Sequence, residues 1–200
     1  MLRLLGRKTS GNVQKVLWLL EELDLEYTRE DYGRQFGNTG DSSYLSLNPT
    51  GKVPTLIDQE HVVWESNTIL RYLCAKTSSE LLPSDPKLRS QCETWMDWLL
   101  ASLNANYVEV FKETKKPEEE RSSNLSSMAE SLGMHLTILN SHLKSNEWLA
   151  GSHMTIADIA LGPICNRCLG FPVILPELPE LNRWHKVISG LPAYQRVVAA

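Results

Sequence analysis

Three short segments of this 200-residue chain carry residues whose types and spacing could do chemistry. The run Asn48-Pro49-Thr50-Gly51-Lys52-Val53-Pro54 packs two prolines and a glycine around the start of a strand. A Val53-Pro54 step there suits a cis peptide, which turns the chain so that the Val53 N–H and C=O face outward as an unpaired, strand-like edge. Such an edge can pair with an extended peptide; the plainer alternative is a proline that caps an edge strand. The run Trp64-Glu65-Ser66-Asn67-Thr68-Ile69-Leu70 puts Glu65 and Ser66 at a strand-to-helix turn. Free N–H groups and the helix dipole favour an anion at that point, so Ser66 either caps the helix or binds a carboxylate. The third segment, Thr9-Ser10-Gly11-Asn12, leads into a helix that Ser10 or Asn12 is suited to cap.

The elements that must position these segments are legible from periodicity. Leu2 to Leu5 is a short apolar run, predicted as a buried strand, and Val13, Val16, Leu17 and Leu20 recur at helical spacing after it. Leu25 to Asp31 reads as a second strand, parallel to the first. Val53 to Ile57 and His61 to Trp64 read as an antiparallel hairpin, followed by a helix from Ser66 with Ile69, Leu70 and Leu73 on one face. The order is βαβ, then ββα.

Residues 78–86, rich in Ser and Pro, read as a linker between a first domain, 1–77, and an all-helical domain, 87–200. Leu88, Cys92, Trp95, Met96, Leu99 and Leu103 lie on one stripe of a long helix. Pro117-Glu118-Glu119-Glu120 is predicted to start the next one, whose core face is Leu125, Met128, Leu132, Leu136, Leu139 and Leu143. Thr155-Ile156-Ala157-Asp158 has the form of a capping box, with Met154 and Ile159 spaced as a hydrophobic staple. Asp158 is therefore assigned to stability, and Pro163 is expected to kink its helix.

Composition excludes several classes. Hydrophobic residues at 42% and charged residues at 22% are a globular balance. A formal net charge of −4 gives no general attraction to nucleic acid or an anionic membrane, although a local pocket for a small anion stays open. No run of about 18 apolar residues is present to span a membrane, and the N-terminus turns polar too soon for a signal peptide, so a cytoplasmic location is expected. Cys74, Cys92, Cys165 and Cys168 fit that compartment as buried thiols. The Cys165-x-x-Cys168 spacing falls within a predicted helix and reads as a helix-face contact. No metal site is expected.

Taken together, the 48–54 and 64–70 runs closely resemble those of the cytosolic glutathione transferases, and the resemblance extends over essentially the whole chain. It implies a fold of α/β plus all-α type: a thioredoxin-like βαβ-ββα N-terminal domain that binds glutathione, then an all-helical domain. It further implies that the Val53 backbone pairs with the cysteinyl part of glutathione, that Glu65 and Ser66 hold the γ-glutamyl end, and that Lys52 sits near the glycine carboxylate. Ser10-Gly11-Asn12 looks like the serine-x-asparagine of theta- and phi-type enzymes. The related bacterial enzymes that use the asparagine amide keep Asn12 beside Ser10 as the residue on the sulfur. Thioredoxins and glutaredoxins carry a cysteine pair at this turn and omega-type transferases one cysteine; here there is none.

The resemblance implies nucleophilic transfer by a detoxification enzyme, with glutathione as co-substrate, no tightly bound cofactor, a small electrophile as second substrate, and a homodimer. Arg7, Tyr107 and Phe111 are the expected electrophile lining, between the first turn and the long helix from Leu88. Arg34 and Gln35 are candidates to touch glutathione, in a loop that departs from the family's usual lysine or histidine. Peroxidase or dehalogenase chemistry would begin at the same site, and a non-catalytic binding module would share the fold.

Overall fold

The computed structural model describes residues 1–198. The described residues divide into two compact units: Met1–Leu82 together with Leu191–Val198, and Pro83–Gly190.

The first unit is a four-stranded sheet with helices. Its strands are β1 (Leu2–Leu5), β2 (Tyr27–Glu30), β3 (Thr55–Asp58) and β4 (His61–Trp64), in the spatial order β2-β1-β3-β4. β1 pairs parallel with β2 and antiparallel with β3, which pairs antiparallel with β4. The central strands are short and apolar because they are covered: Leu4, Leu5 and Leu56 are at most 1% exposed. The helices are α1 (Gly11–Glu22), the short α2 (Ser42–Leu45) and α3 (Ser66–Thr77). Val13, Val16, Leu17 and Leu20 are buried, as their spacing requires. The βαβ-ββα order and the cis Val53-Pro54 bond are both present.

The second unit is helical: α4 (Pro86–Trp98), α5 (Asn104–Thr114), α6 (Leu125–Leu143), α7 (Ile156–Leu169) and α8 (Pro179–Ser189). Asp158 organises it. The fully buried carboxylate accepts hydrogen bonds from Thr155 N–H at 2.9 Å, Leu149 N–H at 3.1 Å and Trp184 Nε1 at 2.9 Å. Thr155 Oγ1 accepts from Ala157 N–H at 3.3 Å, completing the capping box. Burial pushes the Asp158 carboxyl upward from the ordinary range, and these donors pull it back. Similarly, Asn140 Oδ1 of α6 takes the N–H groups of Glu180 and Leu181 at 2.9 and 3.0 Å, so the start of α8 is capped from another helix.

Three sequence expectations are corrected. The last helix, α9 (Pro192–Val197), belongs to the first unit rather than to a domain 87–200: Tyr194 packs edge-on against Trp18 of α1, ring centres 4.9 Å apart, and Arg196 pairs with Glu21 at 2.7 Å. The stripe from Leu88 to Leu103 is not one continuous α-helix, because Leu99–Leu103 forms a π-helical segment between α4 and α5. Residues Glu118–Glu120 make only a 3₁₀ turn, and α6 begins at Leu125, after the turn-forming residues Ser122, Ser123 and Asn124. α7 itself continues through Pro163.

Candidate active site

The site is assembled on the first unit from three connections, joined by the β2–α2 loop that carries Gly33, Arg34 and Thr39. The β1–α1 turn brings Arg7, Ser10 and Asn12. Gly6 is required at its start, because a Cβ there would stand 2.5 Å from Val13 Cγ2. Ser10 occupies the N-cap position of α1, and its C=O accepts the first intrahelical bond from Gln14 N–H at 2.9 Å, yet its side chain makes no capping hydrogen bond. The hydroxyl is thus not committed to the role that the plainest sequence reading gave it.

The 48–54 turn is held by a buried polar network. Tyr44 Oη donates to Lys52 C=O at 2.6 Å, and Asn48 Nδ2 reaches the same carbonyl at 2.9 Å and Thr55 Oγ1 at 3.0 Å. The Tyr44 and Thr55 hydroxyls meet at 2.9 Å, so with the Tyr44 proton on Lys52 the Thr55 hydroxyl is the donor of that bond. Asn48 Oδ1 accepts from Thr50 N–H and Oγ1 at 3.1 and 2.7 Å. Burial raises the Tyr44 phenol's pKa above its ordinary value, which keeps it protonated as a donor. Among the described residues no hydrogen bond engages the Val53 N–H or C=O. Sequence reasoning passed over Tyr44 and Thr55.

The β4–α3 turn supplies Glu65 and Ser66. Glu65 is the N-cap of α3 at φ 70°, ψ 117°, a left-handed conformation that costs a non-glycine residue about 1–3 kcal/mol and collects at functional sites. Ser66 is therefore the first helical residue rather than the cap, and it is buried. The first N–H groups of α3 open at this point with no side-chain cap.

These connections enclose two adjoining hollows. The larger, about 260 Å³, is lined by Arg7, Ser10, Asn12, Gly33, Arg34, Thr39, Gly51, Lys52 and Val53. The smaller, about 40 Å³, is lined by Asn12, Asn48, Thr50, Lys52, Val53, Pro54, Glu65 and Ser66. Asn12, Lys52 and Val53 border both, so the two form one trench. Three cations line its wide end and one carboxylate its narrow end, where a helix begins. An extended, multiply charged molecule fits that polarity.

The remaining expected site residues are not among those that line the trench. Gln35 sits exposed on the 3₁₀ turn Arg34–Phe36 and does not line either hollow, whereas its neighbour Arg34 does. Tyr107 and Phe111 belong to the second unit, where Tyr107 stacks on both Phe111 and Phe171, ring centres 5.8 and 5.9 Å apart. Trp95 and Trp98 pack on histidines of α6, at 4.7 Å from His142 and 6.1 Å from His135.

Sheet order, cis-Pro54 and the trench define the first unit as a thioredoxin-like fold, carried in one chain with a helical unit. The family models described as glutathione S-transferase, N-terminal domain, and glutathione S-transferase, C-terminal domain, match residues 2–75 and 103–192. The chain is 35% identical to glutathione S-transferase GstB of Escherichia coli strain K12, covering 99% of this chain and 98% of that one. The theta class glutathione S-transferase of Xanthomonas axonopodis pv. citri, solved with glutathione bound, superposes with a TM-score of 0.95 at 35% identity, covering 100% and 97%. Elongation factor 1-gamma 3 of Oryza sativa subsp. japonica is 33% identical across 78% of this chain but 38% of its own length. The chain belongs to the glutathione S-transferase family.

No helix among the described residues is long and apolar enough to cross a membrane.

Proposed function

We propose that this chain is a glutathione transferase that binds the tripeptide along the trench and ionises its thiol for attack on a small electrophile. The observation that carries this reading is the continuity of the trench, with Asn12, Lys52 and Val53 common to both parts. Glutathione lies extended, its cysteinyl amide pairing with the Val53 N–H and C=O. Glu65 takes the γ-glutamyl ammonium, and Ser66 with the α3 N-terminus takes the adjacent carboxylate. Lys52 and Arg34 hold the glycyl carboxylate, with Gln35 at the rim.

Ser10 donates its uncommitted hydroxyl to the sulfur, and the start of α1 adds positive potential; both favour thiolate over thiol. Asn12 is the second candidate for that contact. Lowering the thiol pKa by about two units requires roughly 2.7 kcal/mol of preferential stabilisation, within reach of a charge-assisted hydrogen bond and a helix dipole together. The thiol proton leaves to water. The thiolate electron pair then forms a C–S bond as the leaving group departs with its own pair, or as an activated alkene takes a proton. Arg7 steers an anionic substrate, Tyr107 and Phe111 line its apolar side, and the bound pair gains from proximity. The active form is a homodimer, a reading supported by exposed apolar side chains at Leu100, Met134 and Ile138, and its place of action is the cytoplasm.

Titrating the thiol of bound glutathione by its thiolate absorbance tests the mechanism. The pKa rises in Ser10→Ala if Ser10 holds the sulfur, and in Asn12→Ala if Asn12 does; a pKa unmoved by both removes this turn from the reaction. The similarity to an elongation factor 1-gamma favours one second reading, a glutathione-binding module without chemistry. Retention on immobilised glutathione without turnover of any aryl halide, alkene or peroxide would establish it.

A further inference from the structure

The loop between β2 and α2 supplies one wall of the trench, since Gly33, Arg34 and Thr39 all line the wide hollow. It is built from two 3₁₀ turns, Arg34–Phe36 and Asn38–Gly40, with Gly33, Arg34 and Gly37 at φ 83°, 49° and 66°. The backbone bonds of the first turn, from Phe36 N–H to Gly33 C=O and from Gly37 N–H to Arg34 C=O, stay inside the loop. Fixing such a segment costs conformational entropy at every residue, which a tie to the rest of the unit must offset.

Asn38 makes that tie. Its Oδ1 accepts from Gly33 N–H at 3.1 Å, and its Nδ2 donates to Asp31 C=O at 3.1 Å. A backbone N–H only donates and a carbonyl only accepts, so both ends of the amide are used and its orientation is fixed. The anchor is itself held. On either side of Asp31, the carbonyls of Glu30 and Tyr32 accept from Gly6 N–H at 2.8 Å and Arg7 N–H at 3.1 Å. Arg29 Nη1 pairs with the Asp31 carboxylate and donates to Gly6 C=O at 3.0 Å. One side chain thus fastens the far part of the loop to its start. Thr39, next in the chain, comes to lie with its Cγ2 3.6 Å from where a Gly33 Cβ would stand.

We infer that Asn38 is a positioning residue for glutathione: it lines neither hollow, and it holds the loop closed in the ligand-free protein so that Arg34 and Thr39 meet the glycyl end preformed. The inference rests on the reading of the trench as the glutathione site. A loop always closed binds at its intrinsic affinity, whereas one closed a tenth of the time binds about tenfold more weakly. Ser10 and Asn12 stand on a different connection, so the sulfur is not affected.

Glutathione binding to the full chain is measured by calorimetry, turnover of an aryl halide by initial rates, and loop order by amide hydrogen exchange over residues 33–40. Asn38→Ala raises Kd and KM for glutathione about tenfold and leaves kcat and the pKa of the bound thiol unchanged. It speeds exchange over 33–40 in the free protein but not at saturating glutathione. Asn38→Asp keeps the acceptor for Gly33 N–H, loses the donor to Asp31 C=O, and falls between. An unchanged glutathione affinity in Asn38→Ala overturns the inference. So does a kcat or thiol pKa that moves with the affinity, or exchange that quickens equally through β1 and α1, the mark of a merely structural role. Wild type that takes up no glutathione overturns the trench reading itself, an outcome distinct from wild type and variant binding alike.

Discussion

The phenol of Tyr44 reaches the carbonyl of Lys52 at 2.6 Å, tying α2 to the residue that precedes the Val53 edge. That bond aims a backbone, so its removal acts on a ligand that Tyr44 never touches. Tyr44→Phe keeps the ring, stacked on Tyr32 at 5.1 Å, and deletes only the hydroxyl. Asn48 still holds the Lys52 carbonyl, and Thr55 loses its acceptor. The expected cost is about 1–2 kcal/mol in urea unfolding. Glutathione affinity by calorimetry falls several-fold, while the thiol pKa of whatever still binds stays unchanged.

Gly33 should tolerate no side chain. Its φ of 83° with ψ of 162° is essentially confined to glycine, and a Cβ would stand 3.0 Å from Arg7 Nη1. Gly33→Ala therefore costs about 1–3 kcal/mol in thermal or urea unfolding and displaces Arg7. A larger fall in glutathione affinity than in Gly40→Ala, where a Cβ meets nothing within 4 Å, is the diagnostic comparison.

Asp158→Ala leaves three buried N–H donors, on Leu149, Thr155 and Trp184, and the Thr155 hydroxyl without their acceptor. Each orphaned donor costs about 1–3 kcal/mol, so a loss of at least about 3 kcal/mol is expected, with insoluble protein as the extreme. Asp158→Asn retains one oxygen acceptor and should fall between. Urea midpoints for the two variants check the order.

Acid should loosen the first unit through Asp58. Its carboxylate accepts from Tyr72 Oη at 2.7 Å and from the Lys76 ammonium, and the Lys76 bond, then the Tyr72 bond, hold its pKa below the usual carboxylate value. The folded state thus prefers the charged form. The stabilisation is complete above the unfolded pKa of about 3.9 and drains as pH falls through the lower folded value. Urea midpoints of wild type and Asp58→Asn should keep their full difference above about pH 5 and converge only as the pH falls from about 4 through the lower folded value; a gap constant with pH refutes the linkage.

The parts of the fold legible in sequence are those set by local pattern. Leu2 to Leu5 and Val53 to Ile57 show as apolar runs because β1 and β3 are central, and the Val53-Pro54 step reads as cis from its own two residues. Thr155 and Asp158 announce their box because both partners lie within four residues. What stayed hidden depends on distant partners. Nothing in the sequence around Tyr44 says that its hydroxyl meets Lys52, and nothing around Tyr194 says that its ring meets Trp18. The Glu118–Glu120 signal is a genuine helix start that Ser122 and Asn124 cut short. Gln35 and Arg34 look interchangeable in sequence; only the positive φ of the turn, 49° at Arg34, distinguishes their settings.

The return of α9 to the first unit makes the helical unit an insertion in the chain. On a ribosome, the sheet would emerge first and wait: Trp18, fully covered in the finished fold, gets its Tyr194 neighbour only after more than a hundred intervening residues have been made. The helical unit, Pro83–Gly190, is one contiguous stretch of chain and can be complete before the sheet that precedes it. A fragment cut at Leu82 would carry every trench residue and still be an unfinished object, with an indole exposed where the last helix should close.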